Sequence, residues 1–289
     1  MTGGWPAAAL GAGLILAALS GRVAIRRAPA RLMVSNYVGR SVPRVVGICL
    51  VGSSVAGFWL GAALAGRTGR LDAFDVAVVS AAIGLGGVGL LDDLFGGEAR
   101  GLAGHLRSLL RGRPTTGILK LLAGIAGGAV IAWLAGGSLL RIVAGAVLIS
   151  VGGNIWNALD VVPGRALKWG GLALAALLPA VWGGSFGLLA AATLGAVIGA
   201  LPVDLGERGM LGDTGSNPLG FLVGTGLFLV LPTSGVLAAA AAGLVLQLAA
   251  ETVTISRLID AVPPLRWVDS LGRSTRPAGS SAKVKSRGD

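Results

Sequence analysis

Apolar residues in this chain form long runs of membrane length, separated by short segments rich in glycine or charge. A helix needs about 20 mainly apolar residues to cross the hydrocarbon core of a bilayer, and on that measure the pattern predicts about nine transmembrane helices. Their approximate ranges are 5–21, 45–65, 73–91, 116–135, 138–153, 167–183, 185–201, 214–232 and 234–259. We therefore predict an all-α, polytopic membrane protein.

Composition supports the same fold class. Of the 289 residues, 54% are hydrophobic and 13% are charged, and the mean hydropathy is +0.80. Soluble globular domains carry about 25% charged residues, so this composition excludes them. The 50 glycines are typical of closely packed transmembrane helices, in which small residues let backbones approach. Because no basic segment precedes the first apolar run, we expect a retained helix rather than a cleaved signal peptide.

The distribution of basic residues predicts the orientation. A net charge of +11 could indicate nucleic-acid binding, but that function needs a basic face on a soluble domain, and we predict none. Lys and Arg instead mark cytoplasmic connections. With the N-terminus outside and the C-terminus in the cytoplasm, all but three of the 24 basic residues lie inside. Residues 1–270 are predicted to form one transmembrane domain, and residues 271–289 a disordered basic tail.

Polar clusters follow separate spans but share the predicted cytoplasmic face. Asp92 and Asp93 end the third span, where adjacent carboxylates are costly unless a cation compensates them. Asn154, Asn157 and Asp160 recur at every third position after the fifth span and would face one way on a helix. Such oxygens suit a hydrated Mg²⁺ or the polar edge of a nucleotide. We predict an active site on this face, centred on the Asp pair.

Two further acids allow two interpretations each. Asp213, in the sequence Gly212-Asp213-Thr214-Gly215-Ser216, opens the eighth span. It could be a helix N-cap, or it could offer its carboxylate to a metal beside a phosphate-binding helix N-terminus. Glu251 lies deep in the ninth span, where an acid is either functional or part of a buried pair.

Basic residues near these acids are candidates for phosphate binding. Arg40 lies in the first cytoplasmic loop and either contacts a phosphate or only contributes to the positive-inside bias. Arg107 and Arg111 are one turn apart on a short amphipathic segment that we expect to lie along the membrane surface. His105 on that segment is more typical of an interfacial residue than of a base or ligand.

The order of these motifs resembles a known enzyme family. Asp-Asp after the third span, Asn-x-x-Asn-x-x-Asp after the fifth and Leu211–Ser216 before the eighth are similar to the polyprenyl-phosphate N-acetylhexosamine-1-phosphate transferases. That family includes the phospho-MurNAc-pentapeptide translocase of peptidoglycan synthesis. The resemblance spans about Asn36 to Arg273. It implies transfer of a sugar-1-phosphate from a UDP-sugar to polyprenyl phosphate, with release of UMP, in a plasma membrane of bacterial type.

The resemblance also implies roles for individual residues. Asp92 or Asp93 would position or deprotonate the lipid phosphate, and Asp213 would bind Mg²⁺, or Mn²⁺ in its place, with Asp93 as a second ligand. The nucleotide-diphosphate site would be lined by Asn154, Asn157 and Asp160. Arg107 stands where the family commonly has a lysine and would meet a phosphate. A homodimer is expected by analogy with the family alone.

The chain departs from the family pattern around the expected donor site. Pro163 replaces a second Asp, Met210 replaces an aromatic residue, and Pro264–Asp269 occupies the place of a His-rich loop. These changes affect the residues that should recognise uridine, and they argue against a pentapeptide-bearing substrate. We predict that the donor phosphates are bound instead by Arg165, Lys168 and Arg266.

Two other functions compete with this one. A noncatalytic relative that binds polyprenyl phosphate or acts as a scaffold would tolerate loss of the acidic residues, yet Asp92, Asp93, Asp160 and Asp213 are all present. A transporter would place charged groups along a path at mid-membrane, and only Glu251 fits that pattern.

Overall fold

Helices make up nearly all of the regular structure. The computed structural model describes residues 4–36, 39–96, 101–252 and 255–273, without the side chains of 101–103, 106 and 250–252. The α-helices of this described part are α1 Trp5–Arg26, α2 Val46–Leu64, α3 Ala73–Phe95, α4 Gly101–Leu110, α5 Thr116–Ala135, α6 Leu139–Leu159, α7 Arg165–Val181, α8 Ser185–Leu205, α9 Gly212–Val230, α10 Thr233–Thr252, α11 Ile255–Ala261 and α12 Pro263–Ser270.

Six of these helices are long and apolar enough to cross a membrane, namely α1, α2, α3, α5, α6 and α8. The prediction of a helical membrane protein is therefore confirmed at this level. Each of the nine predicted spans overlaps one long helix. However, α7 has only 17 residues, α9 begins with polar residues, and the side chains of α10 are described only over Thr233–Ala249. The full count of nine crossings thus stays a prediction.

One small element departs from an all-α fold. In the first predicted cytoplasmic loop, β1 (Met33–Ser35) pairs antiparallel with β2 (Ser41–Pro43), with Val34 opposite Val42. The Asn36 side-chain oxygen accepts a hydrogen bond from the Arg40 backbone N–H at 2.9 Å and so ties the connection between the strands. Strands of three residues are too short to show alternation of apolar and polar positions, so sequence patterning did not predict them.

The C-terminal part also differs in detail. The last long helix, α10, ends at Thr252, and the short helices α11 and α12 follow it. The side chain of Glu251 and residues 274–289 lie outside the described part of the chain, so the predictions made for this acid and for most of the tail stay predictions.

Close helix crossings place the N-terminus of α9 at the centre of one end of the bundle. A side chain at Gly89 in α3 would overlap the backbone of Asp213, and one at Gly152 in α6 would lie 2.5 Å from the carbonyl oxygen of Gly220 in α9. Glycine at both crossings lets the backbones approach to contact, as is common between membrane helices. The ends of α3 and α6 are thereby held beside the start of α9.

Candidate active site

Four side chains from four helices meet at this end of the bundle. Asp92 comes from the end of α3, Lys120 from the second turn of α5, Asn157 from the end of α6 and Asp213 from the start of α9. The Lys120 Nζ donates a hydrogen bond to Asp92 Oδ2 at 2.7 Å and another to Asp213 Oδ2. The Asn157 Nδ2 lies 3.4 Å from the same Asp213 oxygen. We call these four residues the carboxylate–lysine cluster.

The first turn of α5 holds the other oxygen of Asp92. Thr116 Oγ1 donates a hydrogen bond to Asp92 Oδ1. The preceding residue, Thr115, caps α5 by accepting from the Ile118 backbone N–H, and its hydroxyl lies 2.8 Å from His105 Nδ1 on α4. His105 therefore joins α4 to the start of α5, and the predicted amphipathic segment is a helix.

Asp93 has a different role from its neighbour. Its buried carboxylate accepts hydrogen bonds from the backbone N–H groups of Asp213 at 3.1 Å and Thr214 at 3.0 Å, and from the Thr214 hydroxyl at 2.7 Å. It therefore caps the N-terminus of α9 from another helix. Arg44 Nη1 lies 3.4 Å from Asp93 Oδ1. These contacts show that Asp93 holds the N-terminus of α9, and its predicted roles as a metal ligand and in catalysis stay predictions.

The same contacts decide between the two interpretations of Asp213. The cap of α9 is supplied by Asp93, so Asp213 is not the N-cap that its sequence context allowed. Its carboxylate points instead toward Lys120 and Asn157. Its backbone carbonyl accepts from Asn217 Nδ2 at 2.8 Å, which fixes this first turn. Asp213 is thus available for chemistry while its backbone is held in place.

The three polar side chains of the Asn-x-x-Asn-x-x-Asp motif do not lie on one common surface. Asn157 joins the carboxylate–lysine cluster, and its Oδ1 accepts a hydrogen bond from Ser216 Oγ at 3.3 Å. Asn154 lines a narrow space beside Lys120. Asp160 lies just past the end of α6, where it helps to line a separate pocket of about 30 Å³. Because α6 ends at Leu159, the regular spacing predicted in sequence does not continue to Asp160.

Asp160 lies among other acids. Its pocket is also lined by Asn36, Asp204 and Glu207. Burial, and then the negative charge of Asp204, raise the pKa of Asp160 well above its ordinary value. Asp204 is held in place by the Gly164 backbone N–H, which donates to its Oδ2 at 2.7 Å. The contact of Asp160 with a nucleotide stays a prediction.

Arg165 belongs to a second charged cluster away from the carboxylate–lysine cluster. Its Nε and Nη2 donate to the two oxygens of Asp269 in α12 at 2.9 Å and 2.8 Å, and its Nη1 donates to Ser256 Oγ in α11 at 2.6 Å. Both charged partners are buried. Arg273 adds an ion pair of 2.7 Å to Asp269. Burial alone would raise the pKa of Asp269, but the hydrogen bonds and charge of Arg165, with the charge of Arg273, lower it.

Lys168 completes this cluster. Its Nζ donates to the carbonyl oxygens of Val268 at 3.1 Å and Leu271 at 3.0 Å, and also to that of Asp269. A cation is favourable at such a helix C-terminus. We call Arg165, Lys168, Ser256, Asp269 and Arg273 the C-terminal anchor. Arg165 and Lys168 hold α11 and α12 through these contacts, and their predicted binding of the donor phosphates stays a prediction.

Three other predicted phosphate-binding residues lie outside both clusters. Arg40 follows the turn between β1 and β2, Arg107 lies on α4 and Arg266 on α12, and all three side chains are exposed. Their role in binding phosphate stays a prediction.

Sequence reasoning missed two residues at the site. Lys120 was counted only as a charge near a membrane boundary, although a lysine inside the predicted span 116–135 is itself a signal of function. Arg44, half-buried beside Asp93, was likewise counted only as a loop charge.

An apolar cavity of about 670 Å³ lies between α6, α7, α9, α10, α11 and α12. Its walls include Ile155, Leu172 and Leu246, together with the indole rings of Trp156 and Trp169. Within the described residues, the indole N–H groups of both tryptophans are buried without a hydrogen-bond partner. None of the described residues that line the cavity belongs to the carboxylate–lysine cluster, because Trp156 and Asn157 point about 100° apart on α6.

Comparison with known proteins adds no family assignment. The chain matches no protein-family model and no curated protein sequence. The functional argument therefore depends on the geometry of the site and on the order of the sequence motifs.

The donor set at the cluster is compatible with Mg²⁺ bound together with a phosphate. In the part of the chain that the structure describes, no three His, Cys, Asp or Glu side chains form a metal-binding group. Mg²⁺, however, is usually held by one or two carboxylates, with substrate phosphates and water as the remaining ligands. Asp92 and Asp213, which already share one cationic partner, fit that pattern.

Proposed function

We propose that this protein transfers a sugar-1-phosphate from a UDP-sugar to a polyprenyl phosphate. The observation that carries the proposal is the meeting of Asp92, Lys120 and Asp213, with Asn157, at one end of an apolar helical bundle. The order of the three sequence motifs supports it, because the Asp-Asp, Asn-x-x-Asn and Gly-Asp-Thr-Gly-Ser segments each contribute a residue to this cluster.

The chemistry requires charge compensation more than a strong base. An oxygen of the lipid phosphate attacks the sugar-bearing phosphorus of the UDP-sugar, the bond from that phosphorus to the bridging oxygen of UMP breaks, and UMP leaves. Two anions must approach each other, so cations that neutralise phosphate oxygens lower the barrier. Mg²⁺ held by Asp92 and Asp213 would supply such charge, and Mn²⁺ is an alternative. The Lys120 ammonium supplies a further positive charge at the same place.

The apolar cavity supports a lipid acceptor. Its aliphatic walls suit a hydrocarbon chain, and it is lined in part by α6 and α9, the helices that also carry Asn157 and Asp213. A water-soluble acceptor would gain nothing from a cavity of this kind. A lipid acceptor therefore gives the apolar cavity a role, whereas a UDP-sugar alone would not need one.

The proposal includes an orientation. With about nine crossings and the N-terminus outside, the positive-inside rule directs the carboxylate–lysine cluster to the cytoplasm of a bacterial-type cell. UDP-sugars are made in that compartment, so the active site would face its donor. Association as a homodimer is part of the proposal only through the family resemblance.

A direct assay tests the proposed reaction. Purified protein in detergent is mixed with undecaprenyl phosphate, Mg²⁺ and one UDP-sugar from a panel, and UMP release is followed. We expect release with at least one donor and loss of release in Asp213→Asn. Asp72→Asn is the matched control, since it removes a carboxylate from the opposite end of α3 while an Asn can still cap that helix.

Two results would overturn the proposal. The first is absence of UMP release with every donor, and the second is release that Asp213→Asn leaves unchanged. Binding of polyprenyl phosphate without any transfer would favour the noncatalytic binding protein instead.

A further inference from the structure

The Lys120 ammonium lies where a bridging cation would be expected. It contacts one oxygen each of Asp92 and Asp213, carboxylates that arrive from different helices. The three side chains are only 12%, 20% and 21% exposed, respectively. Two carboxylates with so little access to water repel each other strongly unless a cation lies between them. Lys120 therefore meets, within the chain itself, the need that a divalent ion would meet.

We propose that Lys120 is an internal substitute for the divalent cation, displaced from the two carboxylates when that cation binds. This inference depends on the proposed function insofar as that function assigns Mg²⁺ to Asp92 and Asp213. An ammonium and a divalent ion cannot share the same two oxygens, because they would repel each other at contact distance. Binding of the ion and the Lys120 bridge are thus competing states.

The side chain of Lys120 is suited to such an exchange. Lysine carries a compact charge on a flexible stem with four carbons, so its ammonium can leave the carboxylates while its backbone stays within α5. The start of α5 is fixed by the Thr115 cap and by the contact of Thr116 with Asp92. Only the lysine side chain has to move.

The exchange couples binding of the divalent ion to binding of phosphate. Once released, the ammonium can neutralise a phosphate oxygen bound next to the metal, so phosphate gives Lys120 a favourable alternative partner. Divalent ion and phosphate should therefore bind with positive cooperativity, and the cooperativity should depend on Lys120. In the cation-free protein, the same lysine keeps the two carboxylates together and α3 close to α9.

Mn²⁺ binding measures the competition directly. Free Mn²⁺ is followed by electron paramagnetic resonance during titration of purified protein, with and without UMP as a phosphate probe. We expect Lys120→Met and Lys120→Gln to bind Mn²⁺ about tenfold more tightly than the wild type and to lose the enhancement by UMP. Arg44→Met is the matched control, because it removes a positive charge beside Asp93 that does not bridge Asp92 and Asp213. It should change Mn²⁺ affinity less than about threefold.

Thermal stability gives a second, independent readout. If Lys120 is displaced by the ion, Lys120→Met should lower Tm in the absence of Mn²⁺ and leave it nearly unchanged at saturating Mn²⁺. If the lysine stays in place beside the ion, the loss of Tm should be equal in both conditions. Lys120→Gln keeps a hydrogen-bond donor and guards against a variant that fails to fold.

The outcomes separate this inference from the proposed reaction. Lys120 variants that bind Mn²⁺ no more tightly than Arg44→Met, or that lose the same Tm with and without Mn²⁺, overturn the exchange and leave the transferase proposal standing. Wild-type Mn²⁺ binding that does not depend on Asp213 overturns the exchange together with the assigned metal ligands. Absence of UMP release with every donor, despite the expected Mn²⁺ behaviour, overturns only the reaction.

Discussion

Two charged clusters lie at one end of this molecule and differ in which charge is in excess. In the C-terminal anchor, Arg165 and Asp269 are 2% and 4% exposed and meet through two parallel hydrogen bonds. In the carboxylate–lysine cluster, one ammonium serves both Asp92 and Asp213, and all three side chains keep some access to solvent. The anchor has three cations for one carboxylate, whereas the carboxylate–lysine cluster has two carboxylates for one cation.

The difference shows which charges are available for a ligand. Every cation of the anchor has a partner within the chain, and Lys168 contacts only carbonyl oxygens at the end of α12. A divalent ion in place of the Lys120 ammonium would balance the two carboxylates of the carboxylate–lysine cluster, whereas the excess charge of the anchor is positive and would repel such an ion. The sign of the excess charge therefore distinguishes the candidate active site from the anchor.

The largest effect is expected from breaking the anchor. Arg165→Met leaves the Asp269 carboxylate buried without its main partner, and loss of one member of a buried pair costs about 3–5 kcal/mol. We expect a large fall in Tm and early proteolysis within α11 and α12. Arg266→Met is the matched control, because it removes an exposed arginine from α12, the short helix that carries Asp269. A Tm within 1 °C of the wild type would show that the pair does not stabilise the fold.

Asp92→Asn should have the opposite profile, with a large effect on rate and a small one on stability. Asn can keep one hydrogen-bond acceptor for Thr116 or Lys120, so little unfolding is expected. Loss of a charged group that acts on the reacting phosphates typically costs about 10²–10³ in kcat. UMP release and Tm are measured on the same preparations, with Asp72→Asn as the control. Equal loss of both quantities would make Asp92 a structural residue like Asp269.

The sequence predicts the helices better than it predicts which side chains meet at the carboxylate–lysine cluster. Long apolar runs predict helices because their length and composition are local properties. The approach of Asp92 to Asp213 was predictable from the order of motifs and the side of the membrane. The choice between Asp92 and Asp93 was not, because neighbouring residues on a helix point about 100° apart and the crossing at Gly89 decides which one meets α9.

The contacts of the anchor could not be predicted from sequence for a related reason. Arg165 and Lys168 follow the Asn-x-x-Asn-x-x-Asp motif in sequence, which suggested that they bind the donor. Their partner Asp269 lies 104 residues after Arg165, and no local feature of the sequence predicts that pairing. Lys120 was missed because counting charges for topology treats every basic residue alike, whereas its contacts with two carboxylates depend on tertiary packing.

Acid should weaken the anchor. The pKa of Asp269 in the folded protein is lowered, so the folded state favours the ionised carboxylate. Its contribution to stability is therefore complete above the unfolded pKa of about 3.9 and is lost as pH falls through the lower folded pKa. We expect the difference in Tm between the wild type and Asp269→Asn to stay constant from pH 7 to about pH 5 and to shrink below about pH 4. A difference that already disappears near pH 6 would contradict the assigned shift.

The smallest effect should come from Arg107, which belongs to neither cluster. Its side chain is exposed on α4, so Arg107→Ala should change the free energy of unfolding by less than about 0.5 kcal/mol. An exposed cation can still attract an anionic donor over a distance, and salt screens that attraction. We expect a rise of less than about tenfold in the KM for the UDP-sugar, smaller at 0.5 M than at 0.05 M salt. Arg111→Ala, one turn away, should behave alike. A KM effect that is larger than this, specific to Arg107 and insensitive to salt would place its guanidinium in direct contact with phosphate, and the carboxylate–lysine cluster would then extend to α4.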